Sequence, residues 1–113
     1  MNPKIDPVYM SAFSRPGIPT APEEIVIMEI NKVFRLRDSI WVKDRFRGRD
    51  YPKYRQILIA VLIDNYGYNQ TQAGAVCFRS RVNALASWKR VHNTLMNDKE
   101  FGERVKRVYE ECK

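Results

Sequence analysis

Apolar side chains recur at helical spacing in five stretches of this chain. The first runs from about 21 to 35, carried by Ile25, Met28, Ile30 and Val33. Thr20 is placed to cap it, Pro22 suits its first turn, and Glu23 and Glu24 sit where the helix dipole favours acids. Pro52 opens the second stretch, where Ile57, Leu58, Val61 and Leu62 form a wide apolar face. Asn65 to Gly67 end it. A third, short helix over about 70–77 has Asn69 as its cap and Gln72 three residues on, the pairing of a capping box. Its buried residues should be Ala73 and Val76. After the break Phe78-Arg79-Ser80, a fourth helix over about 80–97 starts from a Ser80 cap. Leu85, Trp88, Val91, His92 and Leu95 fall on one of its sides, and Asn83, Ala86, Ser87, Arg90, Asn93 and Thr94 on the other. Asp98 caps a fifth helix over about 99–112, with Phe101, Val105 and Tyr109 inward. The pattern predicts an all-α fold, a small bundle of about five helices.

Residues 1–21 have no such period, and five of the six prolines lie at or before position 22. This stretch reads as an extended arm, with Met10, Phe13 and Ile18 able to dock on a protein partner. The remainder, 22–113, is one small domain, since 113 residues leave room for little else. The longest apolar run, Ile57 to Ile63, falls far short of the roughly 18–20 residues of a membrane span. The N-terminal stretch has no basic-then-apolar signal pattern, so a cytoplasmic protein without membrane contact is expected.

Charge changes the picture. Of the net +7, residues 1–31 contribute −2, residues 32–55 contribute +6, and the rest +3. The basic block is centred on the connector 36–52, where Arg45, Arg47 and Arg49 alternate around Phe46 and Gly48. Lys53 follows at the start of the second helix. Such a block is either the footprint of a polyanion or a solvated, solubilising surface. Trp41, Phe46, Tyr51 and Tyr54 interleave it, either to stack on bases or to pack over the second helix.

A short helix, a tight turn and a longer helix with a small polar outer face describe a helix-turn-helix. Side chains entering a major groove must be small, or able to donate and accept hydrogen bonds. Asn83 and Ser87 meet the second need and Ala86 the first, while Arg90 can reach a phosphate or a guanine edge. Arg79 and Arg81 lie where phosphates would pass the helix N-terminus. The alternative is a helix pair whose polar face meets only water.

From Arg55 to about Gly102 the sequence aligns without a gap to the C-terminal DNA-binding domain of the bacterial replication initiator DnaA. It resembles that family over about residues 22–112, with one small insertion. The family's second helix opens Pro-Arg-Gln before apolar residues, here Tyr54-Arg55-Gln56-Ile57. Its Ser cap and the Gly five residues on correspond to Asn69 and Gly74. Its basic loop Lys-Arg-Arg-x-Arg corresponds to Arg45-Phe46-Arg47-Gly48-Arg49, and its first helix to the segment ending Val33-Phe34-Arg35-Leu36. The resemblance implies that Arg47 enters a minor groove, with Arg45 and Arg49 along the backbone. It implies that Asn83, Ala86 and Arg90 face DNA. The family signature Gly-Gly-Arg-Asp-His-Thr-Thr-Val is here Phe78-Arg79-Ser80-Arg81-Val82-Asn83-Ala84-Leu85. The residues that read the family's DNA box are therefore replaced by Arg81, Val82 and Asn83, and the same box is not the expected target. The chain also lacks the Gly-rich phosphate loop of an ATPase.

Catalytic chemistry is not expected. His92, the single histidine, falls on the apolar side of the fourth helix and reads as a packed residue. Cys77 and Cys112 have no metal-ligand spacing and read as reduced thiols. No cofactor, metal or small-molecule substrate is implied. The expected function is double-stranded DNA binding, in replication or transcription regulation, from a phage or mobile element. The competing expectation is a structural or virion-assembly protein that turns the same fold, and its arm, toward a protein partner.

Overall fold

The computed structural model describes residues 21–43 and 50–113, and these are all-helical, with no strand among them. Five α-helices form the bundle: α1 (Pro22–Phe34), α2 (Tyr51–Tyr66), α3 (Gln70–Val76), α4 (Arg81–Asn93) and α5 (Phe101–Glu111). Single 3-10 turns sit at Ile40–Val42 and Leu95–Asn97. The arm, including Thr20, Met10, Phe13 and Ile18, and the segment holding Arg45, Phe46, Arg47 and Arg49 lie outside the described residues.

Helix α2 is the axle. Tyr54, Arg55 and the whole run Ile57–Leu62 are buried, because α1, α3, α4 and α5 pack around it. A run of nearly two turns that is apolar on every side, as Ile57–Ile63 is, can satisfy itself only at the centre of a bundle. Its end is set by Gly67, whose φ of 71° allows Tyr68 N–H to donate back to the Leu62 carbonyl at 3.1 Å. At one end of α2 an aromatic cluster closes the core. The Phe34 ring lies 5.1 Å from both Tyr54 and Phe101, and Trp41 lies 5.9 Å from Tyr54.

The connector after α1 is therefore partly core. The 3-10 turn tucks Trp41 and Val42 inside, and Trp41 Nε1 donates to Asn31 Oδ1 at 2.7 Å. The Arg55 guanidinium donates to the Trp41 carbonyl at 2.8 Å, holding that turn against α2. Of the aromatics interleaving the basic block, Trp41 and Tyr54 pack rather than project, and Tyr51 is half-buried.

Three boundaries differ from the sequence reading. Helix α1 begins with Ala21 in extended conformation and no side-chain cap. The fourth helix stops at Asn93: Thr94 takes φ −127° and ψ −60°, and the chain tightens into the turn at Leu95. The tightening lets Gly102 pass beneath it, where a Cβ would lie 2.5 Å from the Met96 carbonyl oxygen. The next helix starts at Phe101 rather than near 99, and Asp98 acts just ahead of it, its Oδ1 accepting from the N–H groups of Glu100 at 2.8 Å and Phe101 at 2.9 Å.

Candidate nucleic-acid interface

Helix α3 is only seven residues long, too short to persist on its own. Both halves of a capping box hold its start: Gln72 N–H donates to Asn69 Oδ1 at 2.8 Å and Asn69 N–H to Gln72 Oε1 at 3.0 Å. Its far end rolls into the turn Cys77–Ser80, where Arg79 N–H donates to the Gly74 carbonyl at 2.8 Å. Gly74 is what lets the turn come so close. A Cβ there would lie 2.8 Å from the Arg79 carbonyl oxygen, 2.9 Å from that of Ser80 and 3.3 Å from Ala84 Cβ. Ser80 Oγ then accepts from Asn83 N–H at 3.2 Å and starts α4.

Ala84 and Val91, seven residues apart and fully buried, mark the centre of the buried face of α4. At about 100° per residue, the opposite side carries Val82, Ala86, Lys89 and Asn93, all exposed. Asn83 and Arg90 flank this stripe and are exposed too. Ser87 does not belong to the outer face: it is 5% exposed, sharing a stripe with Ala84 and Val91. The reason is size. Small residues at 84 and 87 let α4 lie close on α2, and the larger Leu85, Trp88 and His92 end up half-buried at its edge. Side-chain bulk in the sequence points to Leu85 and Trp88 as the centre of the buried face, and so does not place Val82 and Lys89 on the outer one. The seven-residue spacing of Ala84 and Val91 was the available signal.

Arg79 and Asn83 line a small cleft with Pro52, Gln56, Ile59 and Ser87, between the start of α2 and that of α4. Arg81, Ala86 and Arg90 are exposed beside it. Among the described residues no carboxylate lies within ion-pair distance of Arg79, Arg81, Lys89 or Arg90. Lys53 is not part of this group. Its ammonium lies 3.6 Å from Asp50 and 4.7 Å above the Phe101 ring, toward α5.

The described residues on either side of the basic segment 44–49 have defined contacts. Lys43, just before it, holds its ammonium 5.2 Å above the Phe78 ring in the turn. Pro52, just after it, lines the cleft with Asn83. The described residues flanking the stretch of Arg45, Arg47 and Arg49 thus adjoin the turn before α4 on one side and Asn83 in its first turn on the other. Phe78 itself is 63% exposed with φ 55°, a left-handed conformation that is costly for an aromatic residue.

A second polar cluster lies at the far end of α4. Asp64 Oδ1 accepts from Trp88 Nε1 at 2.8 Å; its Oδ2 accepts from Tyr109 Oη at 2.6 Å and lies 2.7 Å from His92 Nε2. The carboxylate thereby ties α2, α4 and α5 together. Burial pushes the Asp64 carboxyl up, but the hydrogen bonds from Trp88, Tyr109 and His92 outweigh it and hold the group below the usual carboxylate range. Burial and the neighbouring Asp64 push the Tyr109 hydroxyl well above its ordinary value, so it stays a donor. His92, expected as a packed residue, is a half-buried member of this brace, its ring centroid 4.4 Å from that of Trp88.

Burial pushes the thiols of Cys77 and Cys112 up to about 11, leaving them protonated and poorly nucleophilic. Among the described residues no group of three His, Cys, Asp or Glu side chains could hold a metal ion, and no helix is long and apolar enough to cross a membrane. No protein-family model, curated protein or solved structure matches the chain.

Proposed function

We propose that the protein binds double-stranded DNA, using α3, the Cys77–Ser80 turn and α4 as a helix-turn-helix and the basic segment 44–49 as a second contact. The carrying observation is the exposed face of α4 (Val82, Asn83, Ala86 and Lys89), set between cations that have no acidic partner among the described residues and the residues flanking the basic segment. A duplex supplies what this face lacks: phosphates for Arg79, Arg81, Lys89 and Arg90, and base edges for the side chains between them. The resemblance to the DnaA C-terminal domain agrees with this reading at two positions. Gly74 falls where the family carries its glycine, and here the turn admits no Cβ. Phe78 stands where the family signature begins with glycine, and its φ of 55° is one that glycine adopts freely. On the same resemblance we propose a role in replication or transcription regulation.

The test is the salt dependence of duplex binding. Log K against log salt should be linear, and Arg79→Ala with Arg81→Ala should flatten its slope by roughly 0.9 per lost phosphate contact. An unchanged slope would remove the first turn of α4 from the interface.

A further inference from the structure

Val82 is 71% exposed, a branched apolar side chain on the outward stripe of α4. One turn on, Ala86 continues the stripe, and Asn83 lies beside it. Val82 gains little from this position in water: most of it is solvated, and a branched side chain adds little to helix propensity. The exposed polar residues of this helix are Arg81, Asn83, Lys89, Arg90 and Asn93; the turn before it brings half-buried Arg79 and, as its one exposed large apolar neighbour, Phe78. A protein partner would need a wider apolar centre, because the buried middle of a protein interface is depleted in charge. A small apolar spot inside a basic rim is instead complementary to a polyanion that carries isolated apolar groups. Duplex DNA is such a polyanion. In its major groove the thymine C5-methyl is an apolar group on each A·T pair, next to an adenine edge that offers a donor and an acceptor.

We infer that Val82 and Ala86 form a methyl-reading stripe that packs on thymine C5-methyl groups in the major groove, with Asn83 placed for the adjacent adenine edge. This rests on the DNA-binding reading and adds a base preference to it. Discrimination comes from burying methyl groups rather than from the hydrogen-bonding residues of the family signature. It favours A·T-containing steps without demanding one long sequence, because each methyl contributes separately.

The experiment compares alternating poly(dA-dT) with alternating poly(dA-dU), which differ only in the C5-methyl, at one low salt concentration. The intact chain should bind the thymine duplex more tightly, by about four-fold for each methyl buried. Val82→Ala, at a solvent-facing position where alanine suits a helix, should keep its melting temperature and lose most of that difference. In a G·C duplex, replacing cytosine by 5-methylcytosine should restore part of the gain for the intact chain and not for the variant. Equal affinity for the thymine and uracil duplexes would overturn the methyl reading while leaving DNA binding in place. A Val82→Ala loss shared equally by both duplexes would overturn it too, pointing to a contact other than the methyl. No binding to any duplex at low salt would remove the DNA reading and this one together.

Discussion

Gly74→Ala tests how the turn is built, and its sign is set by two opposed terms. Alanine in place of glycine inside a helix is worth about 0.8–1 kcal/mol in propensity. Against that, the new Cβ would sit 2.8 and 2.9 Å from two backbone carbonyl oxygens, those of Arg79 and Ser80. Neither is the far end of a flexible side chain. The turn cannot simply retreat, because Arg79 N–H is bonded to the Gly74 carbonyl at 2.8 Å and Ser80 caps α4 through Asn83 N–H. Ala84 Cβ, 3.3 Å away, blocks relief toward α4. Forced overpacking of this kind costs about 1–3 kcal/mol, which exceeds the propensity gain over most of its range. We expect a net loss of up to about 2 kcal/mol, read as a fall of about 4–8 °C in Tm per kcal/mol for a domain of this size. Ala75→Gly, at the exposed neighbouring position, should lose only the propensity of about 1 kcal/mol. Thermal melts in which Gly74→Ala is more stable than the parent would refute the close approach of the turn.

Three further outcomes follow from the packing. Asn69→Ala should cost about 1 kcal/mol by removing the side-chain half of the capping box, the bond from Gln72 N–H, while the backbone N–H of residue 69 keeps its bond to Gln72; urea titration measures it. Ser87→Arg should unfold the domain or nearly so, by forcing a charge into the α2–α4 contact, whereas Ala86→Arg should melt close to the parent; equal melts would put Ser87 back on the surface. The Asp64 carboxyl is held below its ordinary value of 3.8, so its contribution is complete above that pH and is lost as pH falls through the lower folded value. Asp98, held low by the N–H groups of Phe101 and Glu100, is lost in the same acid window. The relevant quantity is therefore the Tm difference between the parent and Asp64→Asn. It should shrink steadily below about pH 4, and a constant difference would contradict the brace.

Much of the fold was legible because its signals are local. The Asn69–Gln72 box, the Ser80 cap and the Gly67 stop are short-range hydrogen-bond chemistry, and each formed where the residues placed it. What could not be read depended on tertiary contact. The sequence leaves Trp41 either stacking on bases or packing over the second helix; Asn31 and Arg55, remote in sequence, decide for packing. The face of α4 was misjudged because side-chain bulk was a poor guide: Ala84 and Ser87 are central since they are small enough for α2 to approach. Val82 followed from the same error. The Asp64 brace joins positions 28 and 45 residues apart, a separation no local pattern encodes. Arg45, Arg47 and Arg49, the strongest charge signal in the sequence, lie outside the described residues, where only the anchoring of their flanks is visible.

The claim that the outer face of α4 meets DNA is tested most directly by following backbone amide resonances of the whole chain as a short mixed-sequence duplex is added at low salt. The account predicts that the largest shifts fall on Arg79 to Ala86, Lys89 and Arg90, with the segment 44–49 moving alongside them. The groove between α1 and α5, lined by Glu29, Arg35, Glu103 and Arg107, should stay unperturbed. Shifts centred on that groove, or none at all at low salt, would contradict it.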